Sequence, residues 1–313
     1  MEKLALALIS GGISSEREVS LSSGDQVYDA LDKNRYDIRR YDPQSDLPRL
    51  VQDAPGIDVA LIILHGPYGE DGTLQGMLDL LGIPYQGAGV LGSAVAMNKL
   101  ASKQLYEKAG IPVPSYIVLE RRDTDVAGTT VERLGLPLVV KPNGGGSSIG
   151  MSIVRKIDDL VPALEKGFDF DDTLILEELI EGTELTVGVL GNRQLEALPV
   201  IEIIPDERYD FFDYEAKYTA GATREICPAR IADSLAQKVQ SYALMAHRSL
   251  FLDGYSRTDM IAGKKGVFVL ETNTIPGMTA TSLLPQAAAA AGMSFSRLLD
   301  RLVELGIELR GKK

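Results

Sequence analysis

The chain has 313 residues, of which 45% are hydrophobic and 24% charged, with a formal net charge of −12. Its length exceeds a single small core and predicts two or three subdomains, and its acidity speaks against nucleic acid or an anionic membrane as partner. Cys227 is the only cysteine, which excludes an internal disulfide and a cysteine-rich metal site. No apolar run reaches membrane-spanning length, so the expected location is the cytoplasm.

In chain order, "LALALIS" (4–10) and "DVALIIL" (58–64) are continuous apolar runs, the pattern of strands buried on both faces of a parallel sheet. Helical spacing runs through "VSLSSGDQVYDALDK" and "TLQGMLDLLG", the second stopped by Gly82. Residues 1–95 therefore read as a small doubly wound, Rossmann-like domain, with ligands expected beyond the carboxyl ends of its strands. Ser14 and Glu16 follow the first strand, and His65 follows a later one. Glu16 could meet a cationic ligand or simply supply negative charge at a helix N-terminus. His65, taken alone, reads as a hydrogen-bonded structural residue, as does His247.

A helix over "NKLASKQLYEKAG" and a stiff "IPVPS" connector lead into a strand-rich region. "SYIVL", "LPLVVKP", "SIGMSIV" and "TLILEEL" read as strands, with one helix around "DDLVPALEKGF". Lys141 precedes the run Asn143-Gly144-Gly145-Gly146-Ser147-Ser148 instead of following it, which is the reverse of a Walker A loop. The glycines are either a plain hairpin turn or a cradle of amides for a phosphate that Lys141 also reaches. Glu177 and Glu184 read either as a solvent-facing acidic strand edge or as acceptors for a base and a ribose. Beyond Gly182 come "LTVGVL", "EALPVIEII", "REICPA", a long helix near 231–251 and two closing helices. The stretch 206–222 is aromatic and charged without a core period, the composition of a functional loop.

"SRTDMIAGKKGVFVLETNTIPGM" (256–278) reads as a hairpin. An odd-length loop centred on Lys265 would set Asp259 opposite Glu271 and Arg257 opposite Asn273, on one face. Two carboxylates and an amide oxygen are hard donors suited to Mg²⁺. The alternative reading is a solvated sheet face with a surface ion pair, against which stand the apolar neighbours "FVL" and "MIA" and the rigid turn "NTIPGM".

Seven segments together, "GGISSEREVSLSSG", "LHGPYGEDGTLQGMLDLLGIPYQGAGV", "MNKLASK", "KPNGGGSSIGM", "DYEAKY", "SRTDM" and "LETNTIPGMTATSLLPQAAAAAGMSF", resemble the D-alanine–D-alanine ligases of the ATP-grasp superfamily. The resemblance spans nearly the whole chain, in order. It implies an ATP-grasp fold, α/β and α+β, with the Rossmann-like domain (1–95) followed by two α+β subdomains (96–182 and 183–313) gripping ATP. The implied activity is ATP-dependent joining of two D-alanines through a D-alanyl phosphate, for peptidoglycan synthesis, by a homodimer that binds neither nucleic acid nor membrane. Carried over residue by residue, Lys99, Lys141 and Lys217 would hold phosphates, with the amides around Ser147 and Ser148 completing the cradle. Glu177, the backbone near Glu178 and Ile180, and Glu184 would bind adenine and ribose. Asp259, Glu271 and Asn273 would ligate two Mg²⁺ (or Mn²⁺). Arg257 and the Gly277 amide would stabilise the oxyanion. Glu16, linked through Ser147 to Tyr218, would take the first ammonium near His65, and Ser282 and Leu283 would hold the second carboxylate.

Two departures stand out: Glu178 where relatives often carry lysine, and a glycine-richer loop at 143–146, expected to be more mobile in the empty enzyme. A D-alanine–D-lactate or D-alanine–D-serine ligase is the neighbouring alternative, and a nucleotide-binding regulator without catalysis the more distant one.

Overall fold

The computed structural model describes residues 3–122, 127–146, 148–205 and 223–310. Three sheets organise them. Strands β1 (Leu4–Ile9), β2 (Tyr36–Tyr41) and β3 (Val59–Ile62) form a parallel sheet in the order β2-β1-β3. The apolar runs of β1 and β3 are buried as expected of strands covered on both faces. β2, "YDIRRY", is an edge strand buried only at its two tyrosines, which is why it carries no apolar run. Helix α1 (Arg17–Ala30) follows β1, and α2 (Leu47–Asp53), a helix without a sequence signal, follows β2. Gly11 makes the turn out of β1 at φ 94°, where a Cβ would stand 2.7 Å from the Asp42 carboxylate. That approach lets Asp42 accept from the Gly12 amide and pair with Arg17 at 2.7 Å, pinning the start of α1.

Helices α3 (Thr73–Leu81), α4 (Val90–Met97) and α5 (Lys99–Lys108) lead to the second sheet. It comprises β4 (Tyr116–Glu120), β5 (Leu138–Pro142), β6 (Ser152–Val154) and β7 (Thr173–Glu178), antiparallel in the order β4-β7-β5-β6. Helices α6 (Ala127–Leu134) and α7 (Leu160–Phe168) belong to the same segment, and α7 packs on β5, β6 and β7. The strand expected over 148–154 shortens to 152–154, because Ser148 and Gly150 take left-handed conformations.

The third sheet holds β8 (Gly182–Leu190), β9 (Glu196–Ala197), β10 (Ile201–Pro205), β11 (Thr223–Ile226), β12 (Tyr255–Gly263) and β13 (Gly266–Asn273). Its order is β11-β10-β8-β12-β13, with β9 beside β8. The run expected as one strand over 196–204 breaks around Pro199. One face of this sheet packs on the long helix α8 (Asp233–Ser249) through Leu185, Met260 and Val269. The other face carries the polar residues considered below. Helices α9 (Leu283–Ala290) and α10 (Phe295–Arg310) close the chain. α10 lies against β3, so Leu298 and Leu302 complete the core around Leu6, Leu8 and Leu61.

Candidate active site

The hairpin β12–β13 carries the expected pairs: Asp259 faces Glu271 and Arg257 faces Asn273. The route to that register differs from the expectation. The turn is a two-residue one, Lys264-Lys265 between the paired glycines 263 and 266, and Met260 pairs with Val269. Continued unbroken, this ladder would set Asp259 opposite Leu270. A bulge between Met260 and Asp259 shifts it by one, so Leu270 is the extra residue and Glu271 turns to the face of Asp259. Leu270 and Glu271 consequently line the same cavity.

Asp259 is buried and fully engaged. Its Oδ1 accepts from Thr186 Oγ1 at 2.6 Å and Arg257 Nε at 2.9 Å, and its Oδ2 from an Arg257 terminal nitrogen at 2.8 Å and Asn273 Nδ2 at 3.1 Å. The guanidinium thus stands where a cation is called for. Among the described residues no three acidic or imidazole side chains converge as a metal cluster. The donor set is therefore two carboxylates and the Asn273 amide oxygen. That set fits Mg²⁺, which binds through one or two carboxylates and takes its remaining ligands from water and substrate phosphates.

Across the cleft, β7 is an interior strand, so Glu177 is not a solvent-facing edge residue: it is 2% exposed. Its Oε2 lies 2.8 Å from Lys141 Nζ and its Oε1 2.9 Å from Lys103 Nζ. The Lys103 contact lacks the direction of a good hydrogen bond and is a charge–charge contact. Burial alone would raise the Glu177 pKa, but the two ammonium groups outweigh it and lower it. For Lys103, itself 1% exposed, burial prevails and depresses the pKa. Lys103 is absent from the sequence-derived set, although it lies one helical turn beyond Lys99 on α5 and so on the same face.

Glu178 points the other way, accepting from the Ser115 amide and hydroxyl at 3.2 Å and facing Lys265 at 3.3 Å. That engagement keeps its charge with Ser115 and Lys265, consistent with a backbone-only role at this position. The glycine loop is tethered at its start. The Asn143 carbonyl and side chain accept from the Lys99 and Leu100 amides, the Gly144 amide donates to Asp171, and Lys99 Nζ donates to the Gly145 carbonyl at 2.7 Å. Ser147, Lys217 and Tyr218 lie outside the described residues, and with them the expected link from Glu16 to Tyr218.

Two cavities meet here. The smaller, about 130 Å³, is an apolar slot between the second and third sheets. Val139, Met151, Ile153, Ile180, Ile261 and Leu270 wall it, and Lys141, Ser148, Glu177, Glu178, Glu184 and Asp259 supply its polar rim. The larger, about 320 Å³, opens towards the first sheet and gathers Glu16, His65, Arg257, Asn273, Gly277, Ser282 and Leu283. Lys99, Gly146 and Glu271 line both. Glu16 is buried at the start of α1, and a Cβ on Gly146 would lie 3.8 Å from its carboxylate, so the glycine flap reaches the first domain. His65 is buried beside Glu70, with Nδ1 to Oε1 3.8 Å. Burial disfavours its imidazolium, but Glu70 and Glu16 outweigh this and raise its pKa. His247 is outside the site, fully buried and bonded to Ser256 Oγ at 2.8 Å. Ser282 Oγ accepts from the Thr279 amide at 3.0 Å at the head of α9.

A lysine-bearing sheet and a carboxylate-bearing sheet closing on one slot, with a doubly wound domain at its mouth, define an ATP-grasp fold. The family model described as "D-ala D-ala ligase C-terminus" matches residues 105–304, and "D-ala D-ala ligase N-terminus" matches residues 42–88. The chain belongs to the D-alanine–D-alanine ligase family. It is 63% identical to the D-alanine–D-alanine ligase of Syntrophobacter fumaroxidans, over 98% of this chain and 99% of that one. Among solved structures it is similar to the Bacillus anthracis D-alanine–D-alanine ligase complexed with ATP (TM-score 0.86, 37% identity, 98% of both chains). It is also similar to a D-Ala:D-Ser ligase from Enterococcus faecalis (TM-score 0.85, 32% identity, 97% of this chain and 100% of that one). Among the described residues no helix is long and apolar enough to cross a membrane.

Proposed function

We propose that this chain uses ATP to join two D-alanines into D-alanyl-D-alanine for peptidoglycan precursors. The observation that carries this reading is the meeting of the two cavities at Lys99, Gly146 and Glu271. A phosphate held there would sit between an apolar slot suited to a flat base and a polar chamber suited to amino acids.

In this reading Glu177, the backbone near Glu178 and Ile180, and Glu184 receive adenine and ribose. Lys99, Lys141, Lys217 and the amides around Ser148 hold the phosphates. Asp259, Glu271 and Asn273 would hold Mg²⁺, which when bound neutralises phosphate charge. Glu16, with Ser147 and Tyr218, holds the first ammonium beside His65, so that the first carboxylate faces the γ-phosphate and takes it up as an acyl phosphate. Ser282 and the Leu283 amide hold the second carboxylate, directing its amine at the acyl carbon. The free amine attacks and the C–N bond forms, with the tetrahedral oxyanion held by Arg257 and the Gly277 amide. Its collapse breaks the acyl C–O bond, so that phosphate leaves with that oxygen and takes up the proton the nitrogen gives up. We further place the enzyme in the cytoplasm as a homodimer, which sedimentation of the purified protein would test.

Phosphate release from ATP that depends on D-alanine and not on L-alanine, with D-alanyl-D-alanine as product, is the expected result. D-lactate and D-serine offered as competitors test the choice of second substrate. ATP binding without turnover would refute the reading.

A further inference from the structure

Glu225 has no part in the chemistry above, yet it lies on the reactive face of the third sheet and lines the larger cavity with Arg257, Gly277 and Ser282. The registers place it there. Glu225 on β11 pairs with Ile203 on β10, Ile203 pairs with Glu184 on β8, and Glu184 pairs with Ile261 on β12. Directly paired residues of an antiparallel sheet share a face, and residues two apart on a strand do too. Glu225 therefore shares its face with Arg257 and Asp259.

Helix α9 covers this end of the face. Gln286 lies one helical turn beyond Ser282 and donates through Nε2 to Glu225 Oε2 and, at 2.6 Å, to the Thr281 carbonyl. The Glu225 carboxylate is thus aimed by Gln286, whose backbone amide donates to the carbonyl of Ser282, the residue that would hold the second substrate's carboxylate. Among the described residues it makes no ion pair within 4 Å. Its pKa is raised by burial, with Gln286 and Arg257 opposing. A half-buried carboxylate with one neutral donor retains capacity for a cation.

We propose that Glu225 is a specificity-determining residue of the second amino-acid subsite, accepting from the ammonium group of the incoming substrate and so selecting an amine over a hydroxy acid. The assignment rests on the ligase reading above. Ser282 at the head of α9 and Glu225, which accepts from Gln286 one turn along that helix, line the same cavity, so one amino acid could offer its carboxylate to the first and its ammonium to the second. An α-hydroxy acid of the same shape has a neutral donor there and gains less from a carboxylate.

Glu225→Gln keeps the shape and can still bond Gln286, but removes the charge. With ATP and Mg²⁺ at fixed pH, dipeptide synthesis as a function of D-alanine resolves two Michaelis constants. The second should rise about ten- to a hundredfold, as for loss of a hydrogen bond to a charged group, with the first unchanged. In mixtures of D-alanine and D-lactate, the ester-to-amide product ratio should rise by a similar factor, and Glu225→Asp should restore part of the amine preference. An unchanged second constant and product ratio in Glu225→Gln, with an active wild type, would overturn this assignment alone. Parallel rises in both constants would overturn it too, marking Glu225 as merely structural. If Glu225→Gln does not fold, an unchanged product ratio in Glu225→Asp and Gln286→Leu would do the same. A wild type that makes no dipeptide would overturn the ligase reading itself.

Discussion

Glu177→Gln tests the charge trio in the cleft. The substitution preserves shape but leaves Lys103 and Lys141, at 2.9 and 2.8 Å, facing a neutral amide. Removing one partner of a buried ion pair costs about 3–5 kcal/mol. There is an escape: Lys103, 1% exposed, can give up its proton. Deprotonating a lysine of ordinary pKa near 10.4 at pH 7 costs about 4–5 kcal/mol, so the escape does not undercut the first figure. The escape does fix a sign. Burial already depresses the Lys103 pKa, and losing Glu177, the largest opposing influence, depresses it further. Between that depressed pKa and the unfolded value near 10.4, the unfolded chain binds a proton that the native variant does not, so native stability rises with pH.

The assay is urea unfolding of wild type, Glu177→Gln, Lys103→Met and the double variant at pH 7 and pH 9.5. Glu177→Gln should lose about 3–5 kcal/mol at pH 7 and regain part of it at pH 9.5. The double variant should be more stable than the sum of the singles implies by about 1–3 kcal/mol. A loss under about 1 kcal/mol at pH 7, or a deficit that ignores pH, would refute the reasoning. The trio would then be hydrated in solution.

Arg257→Met should lower kcat by about 10²–10³ with the Michaelis constant for ATP little changed, read in steady-state phosphate release. Leu270→Ala removes one wall of the apolar slot and should raise the Michaelis constant for ATP severalfold, with kcat nearly intact. His247, whose pKa burial and then Arg248 push down to about 4, should cost the fold about 3 kcal/mol as pH falls from 6.5 to 4. Stability from this group is present above pH 6.5 and lost below it, so His247→Asn should flatten the acid limb of the unfolding profile. Asp259→Asn should raise the Mg²⁺ concentration needed for half-maximal activity, followed by titration at saturating ATP.

What the sequence made legible follows from which forces act locally. β1 and β3 declare themselves because a strand buried on both faces must be apolar throughout, and "DVALIIL" has no other economical fate. β2 is hidden because an edge strand needs only two buried tyrosines, and "YDIRRY" looks like any polar loop. Helices α2, α4 and α6 carry too few turns to display a period. The hairpin is the instructive case. Alternation correctly predicts that Asp259, Glu271, Arg257 and Asn273 share a face, yet the loop geometry used to reach that register is wrong. Gly263 and Gly266 close a tight turn, and the missing residue is supplied six positions from Lys264, at Leu270. A bulge leaves no compositional trace, because its cause lies in what the strand must face. Without it Glu271 would pair with Thr258 and point at Tyr106 and the α8 core, where a carboxylate has no partner. The same holds for Glu177. Its sequence allowed an exposed acidic edge, and what decides against that is Lys103, brought from α5 by tertiary packing alone. In both places the polar residues could be found from the chain, but the bulge that seats Glu271 and the Lys103 that meets Glu177 could be found only from the fold.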